Sequence, residues 1–254
     1  MLTNQSLHEA AVNFGADLLG IAPISRFEGV APEHHPSSIF PQAKTVIVVG
    51  RRVLRGAVRS IEEKTNESSY LSFGLSMLED QFLPKTAYDL VLFIENHHFD
   101  GVPIFGYDVE AASKVYMAEP IAPGKVAPNV YIDVPHAAEL AGLGRVGKHG
   151  LLITPQFGPL QRLSLILTDA EIEGDPLIEE DFCKNCNACT EACPFDLNRK
   201  RCPICSEGAF PTNFGHFNTI DRLAASCSRA CLDAMEKRNL LTRKFKQNFR
   251  DGSC

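Results

Sequence analysis

The sequence predicts a mixed fold, α/β or α+β, in two parts: a cysteine-free core and a small cysteine-rich module behind it. Three observations predict this. The run Thr45-Val-Ile-Val-Val has the β-branched composition of a buried strand. Segments with apolar residues at helical spacing flank it, so helices and strands share one core. All nine cysteines of the 254-residue chain fall between Cys183 and Cys254. The boundary they suggest gives a core of residues 1–175 and a module of residues 176–254 with a basic tail.

In chain order, Leu7, Ala10, Ala11 and Phe14 mark an amphipathic helix, and Asp17 to Pro23 an apolar strand. A loop with Pro32, His34, His35, Pro36 and Pro41 follows, and then the central strand from Lys44 to Arg51. Its histidines, like His97 and His98, read as loop or helix-end residues and suggest no further metal site. Residues near 68–99 read as helix interrupted at Pro84, and Val102–Phe105 as a short strand. Pro120, Pro123, Pro128 and Pro135 break regular structure, and Pro135 is placed to open a helix that ends at Gly142. Leu151–Thr154 and Arg162–Asp169 read as strands around the turn Pro155-Gln-Phe-Gly158. An acidic linker containing Glu171, Glu173, Asp175, Glu179, Glu180 and Asp181 leads to the cysteines. No internal repeat of solenoid period is present.

Composition narrows the function classes. Charged residues at 22% and hydrophobic residues at 44% describe an ordinary globular chain and exclude a disordered or fibrous one. No apolar run reaches the ~18 residues that span a bilayer. The N-terminus lacks a basic segment followed by an apolar one, so no secretory signal and a cytoplasmic location are expected. In that reducing compartment cysteines serve as metal ligands or catalysts. The net charge of −6 divides unevenly: residues 1–182 carry −11 and residues 183–254 carry +5. That balance makes nucleic acid an unlikely partner. The basic surplus sits in Arg199-Lys200-Arg201 and in a tail with Lys237, Arg238, Arg243, Lys244, Lys246 and Arg250. It reads either as a solvated helix face or as a docking surface for an acidic electron donor.

The cysteine spacing is the most specific signal. Cys183-x2-Cys186-x2-Cys189-x3-Cys193-Pro194 is the bacterial ferredoxin run, in which three thiolates wrap one [4Fe–4S] cube and the fourth serves another. Four more ligands are supplied by Cys202-x2-Cys205 and Cys227-x3-Cys231. The last pair lies in an expected helix over residues 219–237, one turn apart on one face, like Cys189 and Cys193. This pseudo-symmetry assigns one cluster to Cys183, Cys186, Cys189 and Cys231. The other takes Cys193, Cys202, Cys205 and Cys227, and Cys254 is spare. The pattern departs from a compact ferredoxin in the 21 residues between Cys205 and Cys227 and in Leu232, where proline is usual. Zinc on Cys183, Cys186, Cys202 and Cys205, or a single cluster, are the alternatives.

Gly142-Leu-Gly144-Arg-Val-Gly147 spells a dinucleotide fingerprint and, with Lys148, most of a phosphate-binding loop. Both need a strand before and a helix after, and here that order is reversed. His149 also stands where such a loop needs Ser or Thr. The glycines therefore indicate a tight turn or close backbone approach.

The segment from His136, HAAELAGLGRVGKHGLLITPQFGPLQRLSLILTDAEI, followed by FCKNCNACTEACP, resembles the corrinoid iron–sulfur reductases. These comprise the epoxyqueuosine reductases and the reductive dehalogenases. The resemblance is dense over residues 131–194 and thinner in GADLLGIAP and AKTVIVVG. It implies a nitroreductase-like core holding base-off cobalamin beside two [4Fe–4S] clusters, with corrin contacts at Gly144, Lys148, Leu152, Thr154, Gly158 and Leu163. It implies electrons from ferredoxin or flavodoxin and a small organic substrate that loses oxygen or halogen. Asp133, in Tyr131-Ile-Asp133, resembles the proton donor of the epoxyqueuosine enzymes, with a plain loop carboxylate as the alternative. A dehalogenase would use a tyrosine, here Tyr107, Tyr116 or Tyr131. The chain departs from both groups in length: it lacks the C-terminal repeat domain of one and the export signal and long N-terminal portion of the other. A short cytoplasmic form is therefore expected. The alternatives are a corrinoid-free electron-transfer protein and a reductive activator of a partner corrinoid protein, and a second copy of the chain is a further candidate partner.

Overall fold

The computed structural model describes residues 1–105, 122–126, 130–212 and 219–251. Tyr107, Tyr116 and Cys254 lie outside them. Four strands form the main sheet: β1 (Leu18–Pro23), β2 (Thr45–Arg52), β3 (Gly101–Phe105) and β6 (Gln161–Thr168), in the order β1-β2-β6-β3. Every neighbouring pair is antiparallel, with Ile21 opposite Ile47 and Ile47 opposite Ile166. Of the two expected classes, the antiparallel sheet selects α+β.

Antiparallel strands usually alternate buried and exposed residues, yet β2 and β6 are buried nearly throughout. Both faces of this sheet are covered, which removes the need for a polar side. On one face Ile47, Val49 and Ile166 pack against α1 (Asn4–Asn13) and α3 (Leu83–Glu95), through Leu7, Ala11, Leu90 and Ile94. On the other, Val46, Val48, Leu165 and Leu167 meet α4 (Val134–Leu140), through Val134, Ala137 and Ala138. Alternate residues of one strand thus feed two cores.

The helical region near 68–99 is divided as Pro84 requires. Wide π-helical turns run over Tyr70–Ser76 and Leu78–Phe82, and α3 begins with Pro84 in its first turn, where no amide hydrogen is needed. Helix α4 ends at Gly142, whose φ of 76° is a left-handed conformation. The chain then forms the short pair β4 (Arg145–Val146) and β5 (Leu152–Ile153). The helix-glycine-strand order expected for this segment is the observed one.

A third core joins the two ends of the chain. It combines Val53, Val58 and Ile61, the last two from α2 (Arg55–Glu62), with Tyr70, Ile153 and Leu160. Residues from beyond the acidic linker complete it: Phe182, Cys231, Leu232, Met235, Leu241 and Phe249. The apolar interior therefore crosses residue 175. In the module, α5 (Ala188–Ala192) packs on α6 (Ser226–Lys237). The expected helix over 219–237 starts late. Residues Thr219–Asp221 form β8, paired with β7 (Phe210–Thr212), because Asp221 is drawn into a buried ionic network with Arg162 and Tyr70. Among the described residues no helix is long and apolar enough to cross a membrane.

Candidate functional site: two groups of thiols and the glycine segment against them

The thiol-bearing loops are built from tight turns. Cys183 donates its backbone N–H to Asp181 at 2.9 Å, and Cys186 donates to the Cys183 carbonyl at 3.2 Å. Asn185 between them takes φ 54°, which turns the loop back on itself. Leu197, also left-handed at 59°, donates its N–H to Cys193 Sγ at 3.3 Å. Cys205 donates to the Cys202 carbonyl at 3.0 Å. Helix α6 is anchored to these loops at both ends. Ser226 donates to the Ala192 carbonyl at 2.9 Å, and Arg238 to the Phe182 and Lys184 carbonyls at 2.7 and 3.0 Å.

The electrostatics sort the thiols. Burial pushes the Cys231 thiol far up, and charge on Cys189, Cys183, Cys186 and Cys227 adds to the effect. Cys189 is raised by burial and, to a smaller extent, by Cys183 and Cys186, although a hydrogen bond with Thr190 works the other way. Cys227 is pushed up to about 11 by burial; Arg222 opposes this, while Cys193 and Cys202 reinforce it. Only the thiolate coordinates metal, so a metal bound here would have to displace these protons. Cys231 and Cys227 are buried, whereas Cys193, Cys202 and Cys205 are part-exposed. Among the described residues no three Cys, His, Asp or Glu side chains converge on a single-ion site.

The glycine segment docks on this module. Lys148 Nζ donates to the Cys186 carbonyl at 2.7 Å and to Asn187 at 2.9 Å. Arg222 Nη1 donates to the His149 carbonyl at 2.9 Å. A side chain at Gly144 would sit 2.0 Å from the Ile153 carbonyl, so this glycine is needed for the chain to close on β5. His149 is buried, and its Nδ1 accepts the Leu151 N–H at 3.1 Å. The ring proton therefore sits on Nε2, which has no partner among the described residues. Burial, aided by Arg222, lowers its pKa to about 4, so the ring is neutral.

The remaining positions assigned by resemblance are placed as follows. Leu152 and Leu163 belong to the core beneath α4. Thr154 is fully buried, donates to Gln161 at 3.0 Å and accepts from Phe157 N–H at 3.1 Å. Gly158 lies beneath Leu232, Met235 and Leu241. Tyr131 is buried and its carbonyl faces His34 Nδ1 at 2.8 Å. Asp133 is exposed and caps α4, accepting the His136 N–H at 3.0 Å. Beside this segment opens an apolar pocket of about 480 Å³, a volume ordinary for a small-molecule site. Phe73, Phe157, Leu160 and Leu232 line it together with Arg52, Arg55 and Arg243, of which Arg55 pairs with Glu236 at 2.8 Å and Arg52 with Asp17 at 3.4 Å. Leu232 follows Cys231 in sequence, so one wall of the pocket is next to the deepest thiol.

Sequence reasoning missed one polar centre. Arg162 Nη1 donates to Glu79 at 2.6 Å, its Nε to the Gly74 carbonyl at 2.8 Å and its Nη2 to Tyr70 at 3.2 Å. Tyr70 in turn donates to Asp221, and Thr212 to Glu79. Burial pushes Tyr70 well up and raises Glu79, while Asp221, Tyr70 and Glu79 keep Arg162 charged despite its burial. Its members lie 59 to 151 residues apart in sequence pairs such as Arg162–Asp221 and Tyr70–Asp221, so no local motif announces it.

The comparisons with known proteins agree with the thiol pattern. The 4Fe-4S binding domain family matches residues 176–197. A tetrachloroethene reductive dehalogenase of Desulfitobacterium hafniense is 44% identical over 66 residues, which are 25% of this chain and 12% of that protein. An epoxyqueuosine reductase of Listeria monocytogenes is 44% identical over 57 residues, 22% of this chain and 15% of that one. The matched spans are thus a small fraction of these relatives' length. Among solved structures, an epoxyqueuosine reductase with a tRNA stem loop matches with TM-score 0.56 and 19% identity, over 89% of this chain and 64% of that one. A reductive dehalogenase structure described by B12-dependent dehalogenation matches with TM-score 0.51 and 16% identity, over 76% and 25%. The fold is therefore theirs, and the chain is related to both groups of iron–sulfur reductases. A neighbour that holds tRNA also removes the argument, made from charge alone, against a nucleic-acid partner.

Proposed function

We propose that this chain, a relative of the epoxyqueuosine reductases and reductive dehalogenases, is an iron–sulfur oxidoreductase that carries low-potential electrons through two [4Fe–4S] clusters to an acceptor beside the inner one. The observation that carries the reading is the separation of the thiols into two groups around α6. Cys231 is influenced most by Cys189, Cys183 and Cys186 and least by Cys227, and Cys227 by Cys193 and Cys202. Cys205, three residues beyond Cys202, is assigned to the second set on the spacing. A zinc site on Cys183, Cys186, Cys202 and Cys205 would draw ligands from both groups and leave buried thiols unused.

The donor set fits such clusters: eight sulfurs, deprotonated to thiolates when metal binds, on loops closed by backbone hydrogen bonds. When bound, the clusters supply one-electron chemistry at low potential. The chain's own residues do the rest. Cys231, Leu232 and Met235 keep the inner set in apolar surroundings, Lys148 fixes the Cys186 loop against the glycine segment, and the arginine-lined pocket receives the acceptor.

Cobalamin is the acceptor implied by the resemblance, and its fit here is incomplete. Leu152, Thr154 and Leu163 are spent on internal packing, Gly144 on the approach to β5, and Lys148 on Cys186. A corrin would instead meet the pocket lining at Phe157, Leu160 and Leu232. This inward packing favours a second reading, a corrinoid-free electron-transfer protein that serves a partner enzyme or reactivates a corrinoid protein. A small organic substrate, with Tyr131 or Asp133 as proton source, belongs to the first reading.

Anaerobic reconstitution with iron and sulfide tests both parts. Two clusters require about eight irons per chain. Added cobalamin is then followed by absorbance and by the cobalt(II) EPR signal. Binding supports the reductase, and absence of binding with eight irons in place leaves the electron carrier.

A further inference from the structure

The two basic runs noted in the sequence have different fates in the fold. The C-terminal run is largely spent within the chain. Arg238 is committed to the Phe182 and Lys184 carbonyls, and Lys237 pairs with Asp233 at 3.0 Å. Lys244 donates to Asn239 at 2.6 Å, and Arg250 pairs with Glu62 at 2.7 Å. The other run, Arg199-Lys200-Arg201, opens a 3₁₀ segment, Arg199–Ile204, that also carries Cys202. Asn198 accepts the Lys200 N–H at 3.2 Å and fixes the start of the segment. The Arg201 guanidinium lies 4.5 Å from the centre of the Phe195 ring, which follows Cys193-Pro194. Lys200, Arg201 and Pro203 are exposed. Ile204, between Cys202 and Cys205, is 66% exposed.

An aliphatic residue this exposed needs a reason when it sits between two metal ligands. It has neighbours of one predominant sign: three cations against the single exposed carboxylate of Asp196 within residues 195–205. An apolar centre with a charged margin is the usual construction of a transient protein contact. The thiols of this edge, on Cys193, Cys202 and Cys205, are part-exposed, as are Cys183 and Cys186 of the other group, and it is Cys202 and Cys205 that flank the exposed Ile204.

We propose that the surface made by Lys200, Arg201, Pro203 and Ile204 is the docking site of an acidic one-electron carrier protein, and that electrons enter through the cluster held by Cys193, Cys202, Cys205 and Cys227. This rests on the two-cluster reading above. The carrier loses one electron and that cluster gains one; no bond is made or broken. The next transfer runs inward along α6, where Cys227 and Cys231 are one turn, about 6 Å of helix rise, apart. A folded acidic protein fits the patch better than RNA, because the cations are few and an exposed aliphatic residue shares the segment with them.

The test uses the full reconstituted chain and a reduced acidic ferredoxin as probe, followed by stopped-flow absorbance. Iron content and EPR are recorded before the carrier is added, so failure of the clusters to form counts against the two-cluster reading and is seen separately. With both clusters in place, K200E/R201E is expected to slow electron transfer about tenfold at low salt and to flatten its salt dependence. Ile204→Ser, which changes no charge, is expected to slow it while keeping the salt dependence. K244E/K246E, on the C-terminal tail, should leave the rate within about twofold, since its charges lie away from the docking contact. Reduction by dithionite should be equal in all variants. An unchanged rate in K200E/R201E, or a greater loss in the tail variant, overturns the proposal. So does an anticodon stem loop that binds the wild type and not K200E/R201E while the ferredoxin rate stays the same.

Discussion

Cys227 and Cys231 share one helix face, one turn apart, yet their surroundings differ in kind. Cys231 packs with Phe182, Leu232, Met235 and Ile153 in the core that joins the module to the sheet. Among the described residues Cys227 packs with Ala225 and with Cys189 of the inner set, near part-buried Cys193 and Leu197. One side of α6 is thus continuous with the body of the protein, and the other ends a few residues from solvent. The difference teaches that two thiols of one helix carry unequal structural weight: Cys231 is part of the core that joins both ends of the chain, while Cys227 belongs to a small cluster of its own.

The sharpest way to break that comparison is to remove one ligand from each side. Cys231→Ala should take the iron content from about eight to about four and unfold the surrounding core at lower temperature, whereas Cys202→Ala should lose a similar share of iron with the melting temperature nearly unchanged. Iron analysis, EPR and calorimetry on both variants decide it; equal loss of stability would erase the distinction. Cys183→Ala should reproduce the spectroscopic damage of Cys231→Ala, because both belong to the inner set.

Next in size is Arg162. It is fully enclosed and balances Glu79 and Asp221, which reach it from the π-helical turns and from β8. Arg162→Met leaves two buried carboxylates without their cation, a loss of about 3–5 kcal/mol by denaturant unfolding. Lys200→Met, on the exposed edge, should stay within about 0.5 kcal/mol.

His149 lies on the seam between the two regions, and pH tests it. Its folded pKa is about 4, against 6.5 for an ordinary imidazole. Between those values the unfolded chain binds a proton that the folded chain refuses. Stability is therefore full above about pH 6.5 and falls as pH drops toward 4, by on the order of 3 kcal/mol. His149→Gln should remove this part of the acid sensitivity when unfolding is compared at pH 7 and pH 5.

Much of this architecture was legible where the signal is local. The 44–51 strand, the helix that ends at Gly142 and the turn at Pro155–Gly158 follow from short-range composition, and the cysteine spacing supplies the candidate ligands proposed above. The start of α6 was misread by several residues, because Asp221 answers to Arg162 and Tyr70 rather than to its helical neighbours. His149, read only as a misfit for a phosphate loop, gained its meaning from Arg222, which is 73 residues away. Exposure of Ile204 was equally invisible, since an isoleucine between two cysteines looks like core until its surroundings are known.

The smallest effect separates structure from chemistry at Asp133. Its carboxylate accepts the His136 N–H and caps α4, the helix that covers one face of the sheet. Removing such a cap costs about 1 kcal/mol, so Asp133→Ala should lower stability by that amount whatever else the residue does. Asparagine caps a helix as well as aspartate does but cannot donate an acidic proton. Asp133→Asn should therefore melt with the wild type. If turnover of a reducible substrate also survives in Asp133→Asn, the residue is a cap alone and the proton must come from elsewhere, with Tyr131→Phe the next variant to measure. If turnover falls while stability and iron content hold, the carboxyl group has a second task, and the outward-facing end of α4 marks where the substrate arrives.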